Sequence, residues 1–325
     1  MTNAISIAQY GSSNPTFRNR IINGAMVIDQ RNSGASKSYS AGAVTYAVDR
    51  FFLYPTGAAV TGQQVAGTNT GTGYAFRITG ATGLTACNFS QRVENLNATD
   101  LNNVSVTISF KAYASSAISN LTVAVFCGTS ANSGYGGGNN AISSVFSLAS
   151  GLNTISQTLT MPSTASNGFE FAIGFGSGIA NAVTVDISNV QLEAGSTATP
   201  FEYRQYGTEL ALCQRYLPTI SYSGGANPYF GAGMAYGTTT AYYTVSFPVT
   251  PRVPPTGLVV SSASHFAGFL ASTATSNATG VVFGGANNHS AFIQLTGMSG
   301  LSGGNASLIY MNNSAALIYF TGSEL

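Results

Sequence analysis

The chain reads as an all-β protein: an N-terminal antiparallel jelly roll or β-sandwich, one short helix, and a second β-domain after it. Three observations predict this. Apolar residues recur with period two in many short runs, as half-buried strands require. Turns rich in Gly, Asn and Ser separate these runs, and 38 of the 325 residues are glycine. A single stretch, after residue 205, changes to a helical period. Many short strands with this punctuation argue for a sandwich or jelly roll.

The elements follow in order. Residues 1–19 lack apolar periodicity and contain Gly11, Ser12, Ser13 and Pro15. They read as an extended arm, which in an assembly is a candidate anchor. Residues 20–200 carry the first set of strands. Val104, Val106, Ile108 and Phe110 alternate with polar residues. Leu121, Val123, Val125 and Cys127 alternate with Thr122, Ala124 and Phe126, as in a strand buried on both faces. Phe169, Phe171, Ile173 and Phe175 continue the pattern, and Val183, Val185, Ile187 and Val190 close it. The segment SGYGGGNN, Ser133 to Asn140, reads as a hairpin or long loop. It lacks the Lys-Ser/Thr of a phosphate loop and no helical pattern follows it.

Residues 201–217 form the linker. Val190 and Leu192 alternate with Gln191 and Glu193 as a strand end, and Pro200 fits a loop. Tyr206, Leu210, Cys213 and Leu217 then fall on one helical stripe, which Pro218 ends. Residues 218–325 are the second β-domain. Strand signals recur at Tyr242–Val249, Gly257–Ser261, Val281–Phe283, Ala291–Leu295, Ser307–Met311 and Ala316–Thr321. Pro248, Pro251, Pro254 and Pro255 bar a central strand and place that bend at a sheet edge.

Composition narrows the function. Charged residues make up 6% of the chain, against about 25% in an average soluble protein. The net charge of +1 gives no footprint for nucleic acid or an anionic membrane. No apolar run reaches the roughly 18 residues of a membrane span, and the first residues lack a signal-peptide pattern. Synthesis and folding in a cytoplasm are expected. Cys87, Cys127 and Cys213 are an odd, widely spaced set and read as small buried hydrophobes, with no disulfide framework or zinc site. Low charge also weakens repulsion between copies and favours assembly.

Catalytic chemistry is sparse. His265 and His289 are the two histidines, and Ser264 beside His265 is not a triad. Asp186 with Glu193 and Asp29 with Asp49 are carboxylate pairs to weigh as glycosidases, but a structural ion pair of Asp49 with Arg50 or Arg31 is the expectation. Asn95, Asn97, Asp100, Asn102 and Asn103 crowd one loop with oxygen ligands, yet they are also ordinary turn residues, so no metal and no cofactor is assigned. Sugar binding fits better. It needs aromatic faces for stacking and neutral hydrogen-bonding side chains. From Tyr216 to Leu325 the chain has only two charged side chains, Arg252 and Glu324, but eight of its 17 tyrosines. Tyr229 and Phe230 beside Asn227, and His289 beside Asn287 and Asn288, are the expected contact residues.

Several motifs also resemble a known family. The run VQLEAGSTATPFEYRQYGTELALCQRYL looks like the joint in tailed-bacteriophage tail-fibre and appendage proteins. Asn19, Asn23, Gly24, Gln30, Arg31, Tyr46, Asp49 and Arg50 match a domain-opening pattern of that family. There a Trp often stands where this chain has Asp29. FPVTPRVPPTGLVV, from Phe247, resembles a further family pattern, with Pro251 in place of the usual Met. The likeness covers about residues 19–60 and 190–257. It implies a jelly roll similar to those of carbohydrate-binding modules and a non-enzymatic virion appendage that binds host-surface glycan. Other virion proteins are the expected partners of the arm, and the nearly uncharged, aromatic C-terminal domain predicts a homo-oligomer, a trimer. The alternative is a purely structural virion protein, an adaptor or capsid decoration. An enzyme that cuts polysaccharide ranks third.

Overall fold

The computed structural model describes residues 17–135, 140–142, 146–176, 178–225, 228–270 and 273–325. Most of the expected arm, residues 1–16, lies outside them, as do Asn227 and the middle of SGYGGGNN. The chain divides into two compact units, one running to Glu209 and including Leu325, the other Leu210–Glu324.

Among the described residues the N-terminal unit is a sandwich of two antiparallel sheets. One has the order Lys37–Tyr39, Val60–Ala66, Tyr74–Thr79, Thr184–Ala194, Ser105–Ala114, Gly151–Thr160. The other has the order Phe146–Leu148, Ile118–Cys127, Phe169–Phe175, Ala86–Val93, Phe51–Thr56, Thr45–Tyr46, with Asn140–Ile142 also paired to Ile118–Cys127. Spatial neighbours are far apart in sequence, as in a jelly roll. Phe169–Phe175 is bonded along both edges, and its alternate residues Phe169, Phe171, Ile173 and Phe175 fill the core. Phe89 lies between Phe51 and Phe76 with near-parallel rings 4.6 and 5.2 Å away. Cys87 and Cys127 are free thiols in this core; burial pushes them up to about 12 and about 11, so both stay protonated and unreactive. Cys213 is likewise buried and free.

A buried polar clasp ties the first described residues to this sandwich. The Asn19 side chain donates to the Val190 carbonyl at 3.1 Å and accepts from the Leu192 N–H at 3.1 Å. The Arg204 guanidinium donates to the carbonyls of Asn19 and Ile21 and pairs with Glu209 at 3.3 Å. Glu209 in turn accepts the Asn23 N–H, and Glu202 accepts the Asn19 N–H at 2.9 Å. Asn23 bridges the backbone of Ile28 and Asp49 with its side chain. A Cβ on Gly24 would lie 2.0 Å from the Val190 oxygen, so only glycine fits beneath that strand. These family-like motif residues therefore build a joint.

The clasp corrects two expectations. Asn19 is buried and belongs to the sandwich, not to the arm. The helix spans Tyr206–Gln214 and stops three residues short of the expected end at Leu217; Cys213 is buried on its stripe, but Tyr206 is exposed. Glu209 is buried on the helix instead, because Arg204 and the Asn23 N–H compensate its charge.

Among the described residues the C-terminal unit has a three-stranded sheet, Thr219–Ser221, Leu317–Thr321, Gly257–Val260, and a seven-stranded sheet. The latter runs Thr273–Asn277, Phe266–Leu270, Ala306–Met311, Tyr229–Ala235, Ala241–Ser246, Ser290–Thr296, Gly280–Ala286. Tyr243, Val245, Ile293, Leu295, Ile309, Ile318 and Phe320 form a core from both sheets. The strand expected over Tyr242–Val249 stops at Ser246, two residues before Pro248. Gly257–Val260, after the prolines, is an edge strand. Tyr229–Ala235 gave no strand signal because glycines 231 and 233 take the inward positions opposite Val245 and Tyr243.

Candidate functional site: the open face of the C-terminal sheet

Period two decides what the seven-stranded sheet shows outward. In Ala241–Ser246, Tyr243 and Val245 point to the core while Tyr242, Thr244 and Ser246 point away. Register carries this face across neighbouring strands: Tyr242 pairs with Gln294, Thr244 with Phe292, and Ser246 with Ser290. On the other side Thr244 pairs with Ala232 and Tyr242 with Met234. Ala232 and Met234 in turn face Leu308 and Ala306, and Leu308 faces Phe269.

The face has two zones. The first is an aromatic row set among hydroxyls and amides. Tyr236, in the turn after Tyr229–Ala235, stacks on Tyr242 with ring centres 4.7 Å apart and planes 24° apart. Phe292 meets Tyr242 edge-on at 5.2 Å. Gly284 makes room for it, since a Cβ there would lie 2.2 Å from the Phe292 ring. Beside Phe292 is a notch of about 310 Å³ that Thr244, Asn287 and Ser290 also line. The second zone, on the strands of Phe269, Leu308 and Met234, is apolar: these three side chains are exposed around Ala232 and Ala306. Neither zone contains a charged side chain.

The residues expected from sequence fall in different places. Asn287 lines the notch; its Oδ1 accepts the N–H groups of His289 and Ser290 at 2.7 and 2.9 Å. Asn288 and His289 are exposed in the same turn. Tyr229 is exposed but sits by the apolar zone, against Phe269 and Tyr310. Phe230 is half-buried and packs edge-on against Phe266 of the core. Sequence reasoning missed Tyr236, Tyr242 and Phe292. The alternation in AYYTVS shows that one of Tyr242 and Tyr243 points outward, but not which neighbours it meets.

The candidate catalytic groups are occupied otherwise. Asp186 makes a two-point ion pair with Arg77, at 2.7 and 2.8 Å, and lies roughly 20 Å along the same strand from Glu193. That is too far for a glycosidase pair, which needs about 5–9.5 Å. Asp49 accepts from the Gln30 backbone and side chain, and Asp29 from Gly34 and Asn32. His265 Nδ1 is 2.9 Å from the Ser261 hydroxyl, while Ser264 bonds Ser262. In the Asn-rich loop Asp100 pairs with Arg20 at 2.6 Å, and Asn95 and Asn132 bond each other. Among the described residues no three His, Cys, Asp or Glu side chains gather, and no helix is long and apolar enough to cross a membrane.

No protein-family profile matches the chain, and no curated protein matches it. Solved structures resemble about half of it. The enzymatically active domain of bacteriophage CBA120 tailspike protein 4 is 16% identical with a TM-score of 0.35, covering 55% of this chain and 22% of its own. A family 4 carbohydrate-binding module is 21% identical with a TM-score of 0.34, covering 53% of this chain and 98% of its own. The family 11 module of Clostridium thermocellum, in complex with a mixed-linked β-1,3-1,4 tetrasaccharide, is 16% identical with a TM-score of 0.30, covering 50% of this chain and 98% of its own.

Proposed function

We propose that this protein is a non-enzymatic bacteriophage tail-fibre or appendage protein, resident in the virion, that binds host-surface glycan through the open face of its C-terminal sheet. One observation carries the proposal: the row Tyr236–Tyr242–Phe292 lies on an uncharged surface with Thr244, Gln294, Ser246, Ser290 and Asn287 beside it. Aromatic faces stack on the C–H face of a sugar ring, while hydroxyls and amides take its hydroxyl groups. The residues up to 16 serve as the anchor to other virion proteins. Copies associate, as a trimer, through the apolar zone of Phe269, Leu308 and Met234, since exposed apolar side chains without charge mark contact surface. The wide separation of Asp186 from Glu193 and the engagement of Asp29 and Asp49 support the non-enzymatic reading.

The test is binding of the full-length protein to arrayed bacterial polysaccharides. Tyr242→Ala should weaken the signals that the wild type gives, with an unchanged circular dichroism spectrum. Binding untouched by Tyr242→Ala would remove the aromatic row as the site. No binding to any polysaccharide or susceptible cell would leave a purely structural virion role, which the apolar zone also fits. Release of reducing sugar would make the protein an enzyme.

A further inference from the structure

We infer that the N-terminal unit holds a second, separate carbohydrate subsite: a cleft beneath residues 201–206 that takes a single uncharged sugar ring. It lies wholly within that unit and stands independently of the C-terminal face. The cleft has a volume of about 230 Å³ and opens between the segment 201–206 and the loop before Tyr74. Three tyrosines rim it, Tyr74, Tyr203 and Tyr206, with 45%, 67% and 61% of their surface exposed. Exposed tyrosines scattered singly are ordinary, but three around one concavity are a built surface. Its walls are low because Gly24 and Gly73 contribute no side chains. At Gly24 the packing forbids one. At Gly73 a Cβ would meet nothing within 4 Å and the backbone needs no left-handed turn, so the chain itself does not require the gap.

The floor selects the ligand. Arg204 lines the cleft with its side chain only 7% exposed. Its terminal nitrogens serve Asn19, Ile21 and Glu209, so the clasp holds the guanidinium fixed in the wall of the cleft. An anion would meet two carboxylates, Glu202 and Glu209, against one guanidinium. A cation would find those carboxylates already accepting from the backbone of Phe17, Asn19 and Asn23. A neutral ring with an apolar face for tyrosine meets neither conflict. Tyr203 is pre-set for this: its hydroxyl accepts from Asn189 at 2.9 Å and its ring meets Phe201 edge-on at 4.8 Å.

Saturation-transfer NMR on the full-length protein tests it, with the methyl glycosides of glucose, galactose and N-acetylglucosamine as probes at millimolar concentration. At least one should receive saturation, and the exposed double variant Tyr203→Ala, Tyr206→Ala should weaken its binding about tenfold or more. Tyr242→Ala should leave that signal unchanged, which separates this cleft from the C-terminal face. Loss of the signal in Tyr242→Ala alone would overturn the cleft and assign the sugar to the sheet. No transfer to any of the three glycosides, or a signal that neither variant alters, would also overturn it. Polysaccharide binding by the aromatic row would still be read on its own array.

Discussion

The two units handle polar groups in opposite ways. The N-terminal unit buries charge: Asp49, Arg50, Asp186, Glu193 and Glu209 are all hidden among its strands and loops. The C-terminal unit has three charged side chains, Arg215, Arg252 and Glu324, and covers itself with Tyr, Thr, Ser and Asn. Buried charge has one physical use that an apolar contact lacks. Once its partner is fixed, no slipped arrangement satisfies it. The first unit uses this to fasten the segment around Asn19 and Asn23 to the segment around Arg204. The second packs its two sheets around an apolar core, and the outer face of its seven-stranded sheet carries no ion for neutral contacts to compete with.

The largest expected effect breaks the clasp. Arg204→Ala removes the partner of Glu209 and the donor to two carbonyls, and should cost about 3–5 kcal/mol, the usual loss for half of a buried pair. Hydrogen exchange should show faster opening of the segments around Asn19 and Val190, with peptides of the C-terminal sheet unchanged. Uniform loss of protection in both units would show that the clasp is not local. Ile293→Ala should do the reverse. It opens a cavity in the C-terminal core for about 2–5 kcal/mol and leaves the N-terminal peptides protected.

Legibility followed the same division. Strands with a large residue at every inward position, such as Phe169–Phe175, could be read from the sequence almost to the residue. Tyr229–Ala235 could not, because its inward positions hold glycine and the missing volume comes from Tyr243 and Val245 across the strand. The helix stripe was legible at Cys213 but not at Tyr206, where a distant segment supplies the contacts of Glu209. The site was legible as a composition, tyrosines without charge. Its members were not, since Tyr236, Tyr242 and Phe292 meet only through strand register.

Two smaller effects sharpen the comparison on the outer face. Leu308→Glu places a charge in the apolar zone and should lower the oligomer to monomer in solution mass measurements at micromolar concentration, with unchanged circular dichroism. An oligomer indifferent to it would move the contact elsewhere. Tyr242→Ala should weaken polysaccharide binding by roughly 1 kcal/mol or more, beyond the area lost, if its ring stacks. Neither zone has an ion, so wild-type binding should be equal in low and high salt. Charge-driven adhesion would instead be screened, over about 8 Å at physiological ionic strength. A steep salt dependence would place the contact in the charged N-terminal unit.

The smallest expected effect is a pH dependence confined to the N-terminal unit. Burial raises the Asp49 carboxyl above its ordinary range, and the hydrogen bonds from Gln30 with the nearby Arg31 and Arg50 charges only partly offset it. Asp29 is raised too, by burial first and by the neighbouring Asp49 charge. A carboxyl with a raised folded pKa holds its proton more tightly folded than unfolded. Its ionisation therefore costs stability above the folded value, and the cost disappears as pH falls toward the unfolded value of about 3.9. Urea unfolding, followed by exchange of N-terminal peptides, should need slightly more denaturant near pH 4 than at pH 7. The C-terminal unit, whose one side-chain carboxylate is Glu324, has no buried acid to give this slope. Asp49→Asn should flatten the N-terminal profile, because the neutral amide no longer ionises. A profile that rises from pH 4 to pH 7 would mean that Gln30 and the arginines stabilise the Asp49 carboxylate more than burial destabilises it.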